Sequence, residues 1–228
     1  MKTIAKILAV SALGVLAACS SQPANQNNDT AQTQPQANEQ ANSAETKAAE
    51  FPDIDINELN RYFSEIASAH LNSFEAGKLH DTTMIEFSIY YLWINSFNSF
   101  RMDNAYGYLS DKEVDKTCMK YFGQKPSKHQ PVSEGYIKYQ NGEYILPAGD
   151  GEGITFAMVD KLIAKKGATA EYAMTLYSGP DDELDVLLDK SKWATWDEAD
   201  RPEAFNNVKA TLIYKDGKYY LNGWQYQE

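Results

Sequence analysis

The sequence has few of the residues from which catalytic and metal sites are usually built. It contains three histidines and two cysteines in 228 residues. His70, His80 and His129 form no i, i+4 pair and no cysteine–histidine cluster, so a zinc site is not expected. Neither a G-x-S-x-G nor an S-x-x-K pattern occurs. The sequence therefore predicts no catalytic residues, no metal and no cofactor, and places the histidines at the surface or at helix ends.

Positive charge is also scarce. Twenty-one lysines and arginines face 32 aspartates and glutamates, and the formal net charge is −11. Such a chain lacks the basic surface of a nucleic-acid-binding protein. Its net charge also gives the folded domain no reason to lie on anionic lipid. We therefore expect no nucleic-acid partner.

The first apolar segment is too short to span a membrane. Lys2 and Lys6 are followed by a dozen mostly apolar residues, Ile7 to Ala18. A helix of that length covers about 18 Å, whereas the hydrocarbon core of a bilayer is about 30 Å thick. A positive start followed by a short apolar run is typical of a cleaved signal peptide, which we assign to residues 1–18.

The end of this segment, Leu16-Ala17-Ala18-Cys19, resembles the lipobox of bacterial lipoproteins. The resemblance implies cleavage before Cys19, a diacylglycerol on its sulfur and an acyl chain on its new amine. It also implies that Ser20, in place of aspartate, directs the protein to the outer membrane if the organism has one. The alternative is an ordinary secretory signal that ends in cysteine. With Cys19 lipidated, Cys118 has no partner for an internal disulfide.

Residues 20–50 contain no aromatic residue and no Leu, Ile, Val or Met. Because such a segment buries too little apolar area to offset the entropy of ordering, residues 19–50 are predicted to be a lipidated, disordered tether. All 28 aromatic residues fall within 51–228, which we expect to form a single domain.

Helical signals dominate the first part of this domain. Asp55 or Asn57 can cap a helix that ends near Gly77. A capping box at Thr83–Glu86 is expected to open a core helix, although Phe87–Ile94 is also rich in strand-forming residues. A third helix is predicted over residues 111–122, with Cys118 on its buried face.

Strand signals dominate the second part. Asn141-Gly142 and Asp216-Gly217 predict two hairpins. Two further strands, residues 154–164 and 168–177, are expected to turn at Lys166-Gly167, with a helix as the alternative for the first. The predicted fold is α+β, with about three N-terminal helices packed on a curved antiparallel sheet of about six strands. This order resembles cystatin-like and NTF2-like domains in architecture only, and it implies no active-site residues.

An acidic insertion at residues 179–206 interrupts the strands. It contains nine acidic and three basic residues, and two tryptophans, Trp193 and Trp196. The two rings either anchor the insertion to the core or form an exposed platform for a sugar ring or a partner side chain.

The last hairpin offers a second candidate surface. A two-residue loop at 216–217 places Leu212 opposite Leu221 and Ala210 opposite Gly223 on the core face. The other face then carries four residues that could bind a ligand: Lys209, Tyr220, Trp224 and Tyr226. On this register Lys209 forms a cation–π pair with Trp224. The alternative is an ordinary half-buried face.

These patterns predict a non-enzymatic, lipid-anchored envelope protein whose domain binds a protein or a cell-wall glycan. A carboxylate-dependent hydrolase of the envelope is one alternative, and a structural scaffold of an envelope assembly is another. The expected membrane contact is the lipid on Cys19.

Overall fold

The computed structural model describes residues 50–103, 105–149, 154–180 and 183–227. The predicted signal peptide, Cys19 and the predicted tether up to residue 49 lie outside these ranges. Within them, the chain forms three long helices, two short ones and eight strands. The long helices are α1 (Ile56–Ser68), α2 (Asp81–Asn95) and α3 (Asp111–Phe122).

Helix α1 begins as predicted and ends earlier than predicted. The Asp55 carboxylate caps it by accepting a hydrogen bond from the Asn57 amide at 2.8 Å. The helix ends at Ser68, well before Gly77, because His70 adopts a left-handed backbone conformation with φ of 50°. Leu71 lies in the loop after the helix, and its side chain is buried. The apolar spacing in the sequence therefore continues beyond the last helical turn.

Residues Phe87–Ile94, for which a strand was the alternative, belong to helix α2. The capping box predicted at the start of this helix is wrong. The helix starts at Asp81, and the N-cap residue His80 makes no side-chain capping bond. Thr83 lies inside the first turn. Glu86 does not cap the helix because its Oε1 accepts hydrogen bonds from the amide and hydroxyl of Ser133, at 2.6 and 2.9 Å.

Helix α3 confirms its prediction. Ser110 caps it by accepting from the Lys112 amide, and Gly123 ends it at φ of 67°. Cys118 is fully buried. Burial raises the pKa of its thiol to about 12, so the sulfur stays protonated near neutral pH.

The strands form two antiparallel sheets of four strands, whereas one sheet of about six was expected. The small sheet has the order β1-β2-β4-β3, with β1 (Arg101–Met102), β2 (Tyr106–Ser110), β3 (Lys138–Gln140) and β4 (Glu143–Pro147). The large sheet has the order β5-β6-β7-β8, with β5 (Ile154–Lys166), β6 (Thr169–Gly179), β7 (Glu203–Lys215) and β8 (Lys218–Gln227). The α+β class is confirmed. The count differs because two short strands between α2 and α3 pair with the first hairpin, which therefore does not join the large sheet.

The Asn141-Gly142 and Asp216-Gly217 turns are confirmed, and β5 is a strand and not a helix. The turn between β5 and β6 lies one residue later than predicted, at Gly167-Ala168. Strand β5 lies at the edge of the large sheet, where its backbone would otherwise be unpaired. Side chains of α1 cover part of this edge. Ser64 Oγ bonds both the amide and the carbonyl of Ala157, and Asn60 Oδ1 accepts from the Val159 amide at 2.8 Å.

One hydrophobic core joins the three long helices to both sheets. A smaller cluster lies on the other face of β5, because side chains alternate along a strand. There Phe156 and Met158 pack against Leu187 of the insertion. The insertion carries the short helices α4 (Leu184–Leu187) and α5 (Lys190–Trp193). Its predicted span of 179–206 is too long, since β6 includes Gly179 and β7 begins at Glu203.

Candidate functional site

The two tryptophans of the insertion pack against the large sheet. Trp193 Nε1 donates a hydrogen bond to the Leu187 carbonyl at 2.9 Å, and its ring lies edge-on to Tyr177 at 5.1 Å between centroids. Trp196 is also half-buried beside the same cluster. These are the contacts expected of anchoring rings. An exposed aromatic platform, the other interpretation, would need rings that face solvent.

The predicted register of the last hairpin is right near the turn and wrong beyond it. Leu212 faces Leu221 as expected, but the register shifts between Thr211 and Leu212. Ala210 therefore faces Trp224, and Lys209 faces Gln225. The predicted cation–π pair is not formed. A β-bulge adds one residue to β8, and a shift of one residue moves a side chain to the opposite face of the sheet.

The four residues predicted on that hairpin do not share one open surface. Trp224 is fully buried, with its ring 6.3 Å from that of Phe63. Tyr220 is half-buried over Gly123, whose missing side chain leaves room for the tyrosine ring. The Tyr226 hydroxyl donates to the Leu71 carbonyl at 3.0 Å.

Lys209 is the fourth of these residues, and its Nζ lies 3.9 Å from Glu171 Oε1 across the sheet. The described structure therefore presents neither predicted set of residues as one exposed surface. The bulge in β8 is the feature that separates the hairpin residues.

A cleft forms elsewhere, between the end of α1, the second half of α2 and the neighbouring ends of the two sheets. It has two lobes of about 500 and 510 Å³, within the usual range for a ligand site. The lobes share four lining residues: His70, Trp93, Ile94 and Gly149. Glu65, Phe97, Ile154 and Leu184 contribute to the first lobe, and Glu86, Tyr90, Tyr136 and Leu146 to the second.

The cleft exposes large apolar side chains that are normally buried. Ile94 is 50% exposed, Phe97 47% and Tyr136 61%. Ile94 lines both lobes, Phe97 lines the first and Tyr136 lines the second. Contiguous exposed apolar groups in a concave surface are typical of a binding site. Ile94 and Phe97 were not predicted to line a site, because the apolar pattern around them is typical of a core helix.

Trp93 is the rigid element at the centre of the cleft. Its ring packs edge-on against Phe97 and Phe100, each at 5.0 Å between centroids. Gly107 of β2 lies directly against it, and a Cβ at that position would be 2.9 Å from Trp93 Cζ3. A glycine is therefore required there for the indole to lie against the small sheet.

Glu86 fixes one wall of the second lobe. Its Oε1 holds Ser133, and its Oε2 accepts from Asn72 Nδ2 at 2.9 Å. Ser133 and Glu134 both have left-handed backbone conformations, with φ of 52° and 54°. The carboxylate thus secures a strained turn that leads directly into Tyr136.

Glu65, the acidic residue of the first lobe, is bound in a similar way. It accepts hydrogen bonds from Lys120 Nζ at 3.1 Å and from the Tyr121 hydroxyl. Burial alone would lower the pKa of Lys120, but the Tyr91 hydroxyl and the Glu65 carboxylate together raise it. Burial and the Glu65 carboxylate raise the pKa of Tyr121. The lysine therefore stays charged, and Glu65 is neutralised by a fixed partner.

A second polar cluster lies beside α3 and the small sheet. His129 Nδ1 is 2.8 Å from the Tyr144 hydroxyl, and its Nε2 is 3.3 Å from Asp115 Oδ1. The imidazole also stacks on Tyr139. His129 is thus half-buried within a network, whereas the sequence placed it at the surface or at a helix end. His80 at the start of α2 and His70 after α1 do lie at helix ends.

The described ranges contain no group of three or more side chains suited to hold a metal ion. Within the same ranges, no helix is long and apolar enough to cross a bilayer.

Comparison with known proteins adds no assignment to this geometry. A scan against protein-family models found no match, and a search of the curated proteins found none. The cleft and the N-terminal sequence are therefore the observations from which the function is argued.

Proposed function

We propose that this chain is a lipid-anchored protein of the cell envelope whose domain binds a partner through the cleft, without catalysing a reaction. The cleft with its exposed Ile94, Phe97 and Tyr136 is the observation that carries the binding function. The lipobox-like Leu16–Cys19 segment supports the anchor, and Ser20 supports an outer-membrane location. The likeness to cystatin-like and NTF2-like domains remains a proposal about how the helices pack on the large sheet.

The chemistry of the lining favours an apolar protein segment as the ligand. No lysine or arginine lines the described part of either lobe, and the charged groups present are the carboxylates Glu65 and Glu86. An anionic ligand would therefore find no lysine or arginine to pair with in the described lining. The exposed aromatic and aliphatic side chains fit the apolar residues of a peptide, which bury area at about 25 cal/mol per Å².

A cell-wall glycan is less well supported. Sugar recognition combines an aromatic ring with polar groups that bond the hydroxyls, and here the strongest polar groups are already bound. Glu86 holds Ser133 and Asn72, and Glu65 holds Lys120. Because both carboxylates are already hydrogen-bonded, the cleft gives no support to the hydrolase alternative, which needs carboxylates free to act on a substrate.

The test uses exposed cleft residues whose replacement leaves the core intact. Ile94→Ser and Tyr136→Ala, combined, should lower partner capture from detergent-solubilised envelopes by at least tenfold, since aromatic and apolar anchors dominate binding energy. Phe205→Ala is the matched control, because Phe205 is similarly exposed on β7 and does not line the cleft. A photo-crosslinking residue at position 136 then reports whether the captured molecule is a polypeptide.

Equal capture by the cleft variant and the control would overturn the cleft as the binding site. A crosslink to glycan and not to protein would overturn the choice of ligand and leave the binding site in place. Unfolding midpoints of all variants in urea check that each chain remains folded.

A further inference from the structure

The outer half of β5 is unlike the rest of the surface. All residues from Asp160 to Lys166 are exposed, and they include Leu162 at 49% and Ile163 at 46%. Three lysines, Lys161, Lys165 and Lys166, flank this pair. Asn60 bonds the strand edge only as far as Val159, and the register bulges twice beyond that residue. In the outer half, Leu162 lines a shallow groove together with Ile56 and Leu59 of α1.

Two more lysines lie at the same end of the large sheet. The Tyr214 amide donates to the Ala168 carbonyl at 2.7 Å, and Thr169 faces Ile213. The turn of the last hairpin, with Lys215 and Lys218, therefore lies beside the turn between β5 and β6. We call this surface, made of residues 161–166, 215 and 218, the basic sheet end.

The acidic residues around the basic sheet end do not cancel its charge. Four acids lie in or beside it: Glu50, Asp53, Asp160 and Asp216. Against the five lysines they leave a balance of 5 − 4, or +1, in a chain whose total is −11. Asp53 pairs with Lys165 at 2.6 Å. Within the described part of the chain no ion-pair partner exists for the other four: Lys161, Lys166, Lys215 and Lys218.

Two nearby acids are held by other groups. Asp55 caps α1, and Glu171 lies near Lys209.

The chain enters the fold at the same place. The Phe51 amide donates to the Gly167 carbonyl at 2.8 Å, and the buried Phe51 ring packs on Tyr214. Residues 1–49, with the proposed anchor at Cys19, therefore connect to the domain at the basic sheet end.

We propose that the basic sheet end docks on an anionic lipid bilayer. The unpaired lysines fit the negative headgroups, and Leu162 and Ile163 fit the interfacial region between headgroups and acyl chains. Acidic residues elsewhere on the domain do not oppose this contact, because exposed charges are screened beyond about 8 Å at physiological ionic strength. This proposed contact departs from the expectation drawn from net charge, because five lysines are concentrated at one end of the large sheet.

Docking can be measured without the anchor. The chain from residue 19 onward, with Cys19→Ser, retains every buried residue described, since these lie between Phe51 and Trp224. It should bind vesicles of phosphatidylethanolamine containing phosphatidylglycerol and should not bind vesicles of phosphatidylcholine alone. Binding should weaken as salt is raised. Free glycerophosphate should not compete, because it offers no apolar interface.

Matched charge variants locate the contact. Lys161→Gln combined with Lys166→Gln should lower the partition coefficient about 25-fold, or roughly fivefold per lysine. Lys112→Gln combined with Lys138→Gln changes the net charge by the same amount on exposed residues of α3 and β3, and it should have little effect. An equal loss in both pairs would show that only net charge matters and would overturn the proposed surface.

A third variant tests the apolar contact. Ile163→Cys accepts a polarity-sensitive fluorophore, since the other cysteine, Cys118, is buried. Its emission should shift to shorter wavelength on the anionic vesicles. No shift, or no binding of the parent chain to these vesicles, would overturn docking on lipid, and binding to an acidic protein surface would then explain the lysines. The choice of membrane rests on the proposed anchor, but these assays are independent of lipidation, so the two proposals can fail separately.

Discussion

Single residues decide how the cleft is held open. Glu86 binds two donors from Ser133 and one from Asn72, and so ties a surface turn to α2. Gly107 allows Trp93 to lie against the small sheet. Such preformed walls lower the cost of ordering that a ligand would otherwise have to overcome.

The buried thiol of Cys118 predicts how stability responds to alkaline pH. Burial raises its pKa from 9.0 to about 12 in the folded state. The unfolded chain therefore releases this proton first, so the contribution is fully present below pH 9 and is lost as the pH rises towards 12. Between about pH 9 and 10 the free energy of unfolding should fall, with a limiting slope of about 1.4 kcal/mol per pH unit.

The measurement is urea unfolding of the parent chain and of Cys118→Ala at several pH values. The variant should be less stable at pH 8 because it leaves a small cavity, but its stability should fall less between pH 9 and 10. Tyrosines whose pKa is also raised by burial, such as Tyr144, contribute mainly above pH 10. Parallel curves for the two chains would contradict the assignment to Cys118.

At the scale of elements, the insertion is held by its two tryptophans. Its short helices α4 and α5 have too few hydrogen bonds to be stable alone. Their position depends on Leu187 and Trp193 packing against Phe156, and on the ion pair between Arg61 and Asp185.

Replacing Trp193 and Trp196 together by alanine should destabilise the domain. A fully buried tryptophan costs about 3–5 kcal/mol on truncation, and these half-buried rings should cost roughly 2 kcal/mol each. Urea unfolding measures the loss, and Lys192→Ala is the control on the same segment. A variant of unchanged stability that captures less partner would instead support the recognition platform.

The sequence predicted those elements whose determinants are local. The Asn141-Gly142 and Asp216-Gly217 turns follow from the backbone preferences of two residues, and Ser110 caps α3 through its own side chain. Non-local features were not predictable in this way. The bulge in β8 that buries Trp224, and the separation of the strands into two sheets, depend on packing between distant segments.

The cleft was missed for a related reason. The α2 segment is apolar on most sides, and its pattern does not distinguish core packing from an exposed binding surface. Ile94 lies at the end of α2, just before the Phe97–Ser99 turn, and is 50% exposed.

At the scale of the whole molecule, the proposal joins an anchor, a linking segment and a binding domain. In this proposal the residues between Cys19 and Phe51 link the lipid to the domain. The disordered tether predicted from their composition would have a root-mean-square span of about 30 Å.

The anchor has a direct test. Cys19→Ser should abolish incorporation of labelled palmitate, and the precursor should no longer be cut before position 19, because the thioether lipid forms on that sulfur. Gel mobility and radiolabel report both effects. Cys118→Ala is the control and should be labelled and processed normally. Palmitate incorporation into the Cys19→Ser chain would contradict the lipoprotein assignment.

The length of strand β5 sets the distance between the cleft and the basic sheet end. Ile154 at one end lines the cleft, and Lys161–Lys166 at the other end belong to the basic sheet end. Ten residues separate Thr155 from Lys165, which at about 3.3 Å per residue corresponds to roughly 30 Å. A domain docked by its lysines would therefore hold its cleft about one small-domain diameter above the lipid. If both proposals hold, the strand would act as a spacer, and the partner would be met in the aqueous space and not at the membrane surface.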